Sequence, residues 1–160
     1  MNRIPSMRHC AALALAVAAL AGGPALAADM TMVNPEAVQW GDAPPVLPKG
    51  AKLAVLFGDP GKAGPIVMRL KMPAGYKIAP HTHTKDEQLT IISGALYLGM
   101  GDKMDGKAEA LKAGGFHHLP GGTAHYAYTK SPTVVQVSGD GPFDIKYLKP
   151  EDNPDKSAKP

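Results

Sequence analysis

A chain of 160 residues that is 44% hydrophobic and 19% charged has the make-up of one globular domain, not of two domains or a disordered segment. Seventeen basic residues stand against 14 acidic ones with no clustered basic face, which argues against a nucleic-acid binder. A single cysteine excludes an internal disulfide framework, and 18 glycines with 16 prolines favour many short strands over long helices.

Residues 1–27 read as a secretory signal. Arg3 and Arg8 give a positive start, "CAALALAVAALAG" is a short apolar run, and "PALA" places Ala25 and Ala27 in the small-x-small pattern that precedes cleavage. The run is about a dozen residues, short of the ~20 that span a bilayer, so no stable membrane insertion is expected after cleavage. Cleavage after Ala27 would remove Cys10 and leave 15 basic residues against 14 acidic ones. The expected location is periplasmic or secreted.

Residues 28–50 form an N-terminal arm in which "NPEAV" can open a short helical turn and "GDAPPVLPKG" can be neither helix nor central strand. We expect this arm, with Trp40, to cross to a second copy in a homodimer, since an exposed sheet edge otherwise invites aggregation. From residue 51 the pattern changes. "AKLAVLF" is a strand candidate. In "IVMRLKM", Ile66, Met68, Leu70 and Met72 share one face, while Arg69 and Lys71 point the other way into solvent. "KIAPHTH", "EQLTIIS", "ALYLGM", "AEALK", "FHHL", "AHYAY", "TVVQVSGD" and "FDIKYL" follow as extended segments punctuated by turns. About nine or ten short strands and no convincing helix make an all-β sandwich or barrel over residues 51–149, with a polar C-terminal tail at 150–160.

The chemistry concentrates in "GYKIAPHTHTKDEQLTIISG", residues 75–94. Alternate residues of a strand point the same way, so His81 and His83 can converge on one point. Glu87 lies six residues beyond His81, ~20 Å along a straight strand at ~3.3 Å per residue, whereas metal bonds are only ~2 Å long. If all three bind one ion, "TKD" must turn the chain back. His125, just after a Pro-Gly-Gly turn, is the candidate fourth ligand. Three imidazoles and a carboxylate suit one divalent transition metal ion: Fe, Mn, Co, Ni, Cu or Zn.

These residues resemble the two motifs of the cupin superfamily. Gly75, His81, His83, Glu87 and Gly94 fit the first motif; Gly114, Pro120, Gly122 and His125 fit the second, with Thr129 where the motif has asparagine. The resemblance covers residues 75–129 and, with flanking strands, about 52–148. It implies a double-stranded β-helix, a small jelly-roll barrel, with the metal in its mouth, and it is similar to small exported single-domain cupins. The bland alternative is a metal-free barrel that keeps these four residues as a hydrogen-bonded cluster.

His117 and His118 fall on one strand, so one faces inward; we read them as ordinary edge histidines rather than proton carriers. Tyr97, Tyr126 and Tyr128 read as packing, and the parity of Tyr126 and Tyr128 is opposite to that of His125. Met68, Met72, Met100 and Met104 read as core or rim fillers. Cupins host many reactions, so the fold alone does not decide among three readings. The first is an exported metalloenzyme, a dioxygenase or isomerase, acting on a small molecule. The second is a non-catalytic metal or small-ligand binding protein, and the third a structural or stress-related dimer. Side-chain parity gives a mainly apolar pocket with no interior cation.

Overall fold

The computed structural model describes residues 30–155; the proposed signal and the last five residues of the tail lie outside this range. Eleven strands follow in order: β1 (Gly41–Asp42), β2 (Lys52–Phe57), β3 (Gly64–Met72), β4 (Lys77–Thr82), β5 (Glu87–Ser93), β6 (Ala95–Met100), β7 (Glu109–Lys112), β8 (Phe116–Leu119), β9 (His125–Thr129), β10 (Thr133–Gly141) and β11 (Lys146–Tyr147). Helix among the described residues is limited to two 3-10 turns, Pro35–Ala37 and Pro150–Asp152, each with proline near its start. Among them no helix is long and apolar enough to cross a membrane.

The strands form two antiparallel sheets, one ordered β1-β2-β3-β10-β5-β8 and the other β11-β4-β9-β6-β7. The interleaving of early and late strands in both sheets is the jelly-roll arrangement. The alternation in β3 is realised: Ile66, Met68, Leu70 and Met72 are buried. They meet Leu89, Ile91, Val135 and Val137 of the same sheet, and Ile78, Leu96, Leu98 and Ala127 of the opposite one. Each large side chain so buried is worth ~1.5–3 kcal/mol relative to exposure, and this core is what holds the two sheets together. On the other face Arg69 Nε donates to Gln136 Oε1 (3.2 Å), and the Lys71 ammonium sits 4.2 Å from the centre of the Trp40 ring.

The arm is anchored on its own chain, and one later segment differs from its sequence reading. Residues 41–48 are fastened to this chain's own barrel. β1 pairs with β2, Leu47 joins the core, and the hydroxyls of Tyr76 and Tyr147 donate to the carbonyls of Pro48 and Val46. Prolines 44, 45 and 48 keep this stretch out of the ladder, so side-chain hydroxyls satisfy its carbonyls instead. "FDIKYL" is not one strand: only Lys146 and Tyr147 pair, with β4, because the backbone of the preceding residues bonds elsewhere.

A polar clasp secures the turn before β4. Gly75 sits at φ 76°, a left-handed conformation that glycine adopts without strain. The Thr129 hydroxyl donates to the Pro73 carbonyl (2.6 Å) and accepts from the Tyr76 amide (3.1 Å). Thr129 thus ties the end of β9 to the turn that launches β4.

Candidate metal centre

β4 and β9 are neighbours, and His81 pairs directly with His125 in their register. Cross-strand partners project to the same side of a sheet, which brings the two rings to 4.2 Å between centroids. Pro80 cannot donate to a ladder, and the β4–β9 register shifts between Ile78 and His81. His83 lies just past the end of β4, where its carbonyl accepts from the Gly122 amide (2.8 Å). Its ring is 5.0 Å from that of His81 and 5.1 Å from that of His125. The chain then doubles back through Thr84–Asp86 and enters the other sheet at Glu87, the first residue of β5. The turn is held by Asp86, whose carboxylate accepts from the Gly121 amide (2.8 Å) and bonds His118 Nε2 (3.0 Å).

All four expected residues are therefore brought together, and all are buried: His81 is 3% exposed, His83 4%, Glu87 7% and His125 2%. The three histidines each offer a ring nitrogen within 4.8 Å of the others, a spacing able to hold a metal ion. Glu87 Oε2 lies 3.5 Å from His83 Nε2 and 3.6 Å from His125 Nε2.

Each ring is also fixed in one tautomer. Nδ1 of His81 meets the Ala79 carbonyl (2.7 Å), that of His83 the Asp144 carbonyl (2.5 Å), and that of His125 the Thr123 carbonyl (3.0 Å). A carbonyl only accepts, so Nδ1 carries the proton and Nε2 presents its lone pair. Nε2 of His83 is buried without a hydrogen-bond partner among the described residues. It faces the Glu87 carboxylate at a separation long for a hydrogen bond, and in the neutral tautomer two acceptors confront each other. Only a positive charge between them relieves this, either a proton on Nε2 or a cation.

The titration directions agree. Burial lowers the His81 pKa to about 3, with the His125 ring adding to the effect. Burial also lowers that of His125, partly offset by the Thr123 carbonyl. Burial acts downward on His83 too, but the Glu87 carboxylate and the Asp144 carbonyl outweigh it and the net shift is upward. Burial acts upward on Glu87 and is outweighed by the histidines, His83 above all, so its pKa is lowered and it stays ionised. Burial thus favours the neutral, metal-binding forms of His81 and His125 beside an ionised Glu87, whereas on His83 a metal must displace the proton that Glu87 favours. The donor set fits a divalent ion, with His81, His83 and His125 to hold it and Glu87 beside them.

The other singled-out residues do not join this cluster, although Met68 and Met72 line the spaces beside it. His118 is exposed and paired with Asp86. His117 lines a separate cleft of about 330 Å³ with Met100, Asp105 and Tyr126. Tyr126 is fully buried with its hydroxyl on Asp105 (3.0 Å), and Tyr97 stacks on Tyr128 at 4.9 Å. Met68 and Met72 are core residues, whereas Met100 and Met104 are exposed at the rim. Sequence reasoning missed Phe143, which stacks on the His83 ring at 4.6 Å, and Asp144. The Asp144 carboxylate accepts from the Thr84 amide (2.7 Å) and hydroxyl (2.6 Å) while its carbonyl orients His83. The available signal was Pro142, which breaks the extended pattern just before them.

A family model described as a domain of unknown function, DUF4437, matches residues 23–146. The chain belongs to the DUF4437 family. No curated protein matches the sequence of this DUF4437 member. Among solved structures it is similar to the polyketide cyclase RemF from Streptomyces resistomycificus (18% identity, TM-score 0.66), covering 79% of this chain and 90% of that one. A putative acetylacetone dioxygenase from Methylibium petroleiphilum PM1 is similar at 18% identity and TM-score 0.62, covering 80% and 87%. KdgF from a Halomonas species is similar at 19% identity and TM-score 0.54, covering 69% and 94%. RmlC-like cupins are among the similar structures, so this DUF4437 domain has the cupin fold that the two motifs imply.

Proposed function

We propose that this DUF4437 protein is an exported mononuclear metal-binding cupin that acts as an enzyme on a small molecule, as an oxidoreductase or isomerase, at a centre built from His81, His83, His125 and Glu87. The observation that carries this reading is the shared orientation of the three imidazoles. Each has its Nδ1 proton committed to a backbone carbonyl and its Nε2 turned inward, and that of His83 is buried without a hydrogen-bond partner among the described residues. A bound divalent ion would supply Lewis acidity and a lowered pKa for a coordinated water. The chain's own residues would hold the ion with three neutral donors, keep one negative charge at Glu87, and exclude bulk water through the apolar wall. That similar folds include a cyclase and a putative dioxygenase is consistent with small-molecule chemistry.

A second reading, a metal or small-ligand binding protein without turnover, is favoured by one observation. Among the described residues, the cavity beside the histidines is lined by no acid or base apart from the cluster itself and Asp144, whose carboxylate is already occupied by Thr84. The test is elemental analysis of protein purified from the periplasm, followed by a substrate screen that reads dioxygen consumption and product formation. About one divalent ion per chain with turnover supports the enzyme; one ion without turnover supports the metal binder; metal-free protein overturns both metal readings and leaves small-ligand binding alone. Intact-mass analysis of the same sample tests export, with Ala28 expected as the first residue.

A further inference from the structure

The cavity that reaches the histidines is about 370 Å³, near the lower end of the ~300–1,000 Å³ range of ligand pockets. His81, His83 and Glu87 form one end. The walls come from Leu53, Met68 and Leu70 of the six-stranded sheet and from Phe143 and Ile145. The roof is Pro44 and Val46, residues of the arm. Among the described residues that line the cavity there is no lysine or arginine, and the only full charges are the carboxylates of Glu87 and Asp144.

From this we infer that the ligand of the site is a small, uncharged, largely apolar molecule that enters beneath the arm and presents one polar group to the histidines. The inference deepens the metal-centre reading and rests on it for the identity of the polar end. An anion would lose its hydration against eleven apolar side chains and, apart from an ion held by the histidines, would find no lysine or arginine in the lining to pair with, which carries a penalty of several kcal/mol. A cation would find the Asp144 carboxylate already engaged by the Thr84 amide and hydroxyl and by Lys146 at 3.3 Å. A neutral molecule loses little on entry and gains by covering Leu53, Val46 and Ile145. Arm and wall are held rigidly enough to select by size: Val46 is tied through its carbonyl to the Tyr147 hydroxyl (2.9 Å), and Phe143 through its amide to the Pro60 carbonyl (2.8 Å).

The experiment uses three probes that differ mainly in charge: 4-fluoroacetophenone, 4-fluorobenzoate and 4-fluorobenzylammonium. Fluorine NMR titrations are run on the full mature chain as purified, with metal content measured on each sample. The neutral probe is expected to bind at least about tenfold more tightly than either charged one, a difference of ~1.4 kcal/mol. In Val46→Arg, which places a cation in the roof, preference should swing to 4-fluorobenzoate while metal content is unchanged. Circular dichroism confirms that the variant is folded, and the wild-type series decides the matter without it. Tighter binding of either charged probe to the wild type, or no binding of the neutral probe at millimolar concentration, overturns the inference even if the metal is present. Metal-poor protein that still prefers the neutral probe supports the inference and overturns the metal centre instead.

Discussion

The clasp at Thr129 offers a quantitative test of how the site is held. Replacing Thr129 by Val keeps the shape of a side chain that is 2% exposed but removes the hydroxyl. The Tyr76 amide and the Pro73 carbonyl would then lose the partner they have at 3.1 Å and 2.6 Å. Each of the two buried groups left unsatisfied costs ~1–3 kcal/mol, and the new methyl returns less than ~1 kcal/mol, so Thr129→Val should destabilise the fold by about 1–6 kcal/mol. For a domain of this length that lowers the melting temperature by about 3–20 °C. Thr129→Ser retains both bonds, loses one methyl and should cost only about 1 kcal/mol. The assay is chemical denaturation of the metal-free protein followed by circular dichroism, so that metal affinity does not enter. A Thr129→Val protein within ~0.5 kcal/mol of wild type would refute the reasoning, because the two polar groups would then be satisfied without the hydroxyl.

Further outcomes are expected. His125→Ala should lose most of the metal while keeping the β-rich fold, and Glu87→Gln should bind metal better than His125→Ala does, since an amide oxygen still coordinates; metal content and circular dichroism on the same samples check both. In the metal-free protein the lowered pKa of His81 means that the unfolded chain takes up protons first. Stability is then fully present above pH 6.5 and is lost as pH falls from 6.5 towards about 3, and the lowered Glu87 pKa adds to the loss below about 4.5. His83 acts in the opposite sense. Its raised pKa contributes stability below 6.5 that is lost as pH rises through the folded value, and it makes apparent metal affinity fall as pH drops through that value, measurable by competition with a chelator. Finally, Gly99 faces Tyr126 across the β6–β9 pair, and a Cβ there would come within 2.2 Å of the Tyr126 ring. Gly99→Ala should cost ~1–3 kcal/mol by forcing that fully buried ring aside, read as a drop in denaturation midpoint.

The four clustered residues and the all-β class were legible because they depend on local periodicity. His81 and His83 are two apart, Glu87 follows a turn-forming "TKD", and His125 begins a strand after Pro-Gly-Gly; each regularity survives folding because the strands are fixed by buried alternation such as that of β3. Phe143 and Asp144 were not legible. His83 and the Asp144 carbonyl that orients it are 61 positions apart, and a carbonyl carries no residue-type signal. The anchoring of the arm was not legible for a related reason. Its prolines showed where pairing stops but not that Tyr76 and Tyr147 hydroxyls would capture the carbonyls of Pro48 and Val46.

The roof of the cavity has a consequence for how this protein could diversify. The histidines are aligned by carbonyls at residues 79, 123 and 144, whereas Pro44 and Val46 come from a segment that orients none of them. Side chains of the arm can therefore be exchanged like the wards of a lock while its bolt stays in place. Related chains with the same histidines and different residues at 44 and 46 would accept different molecules.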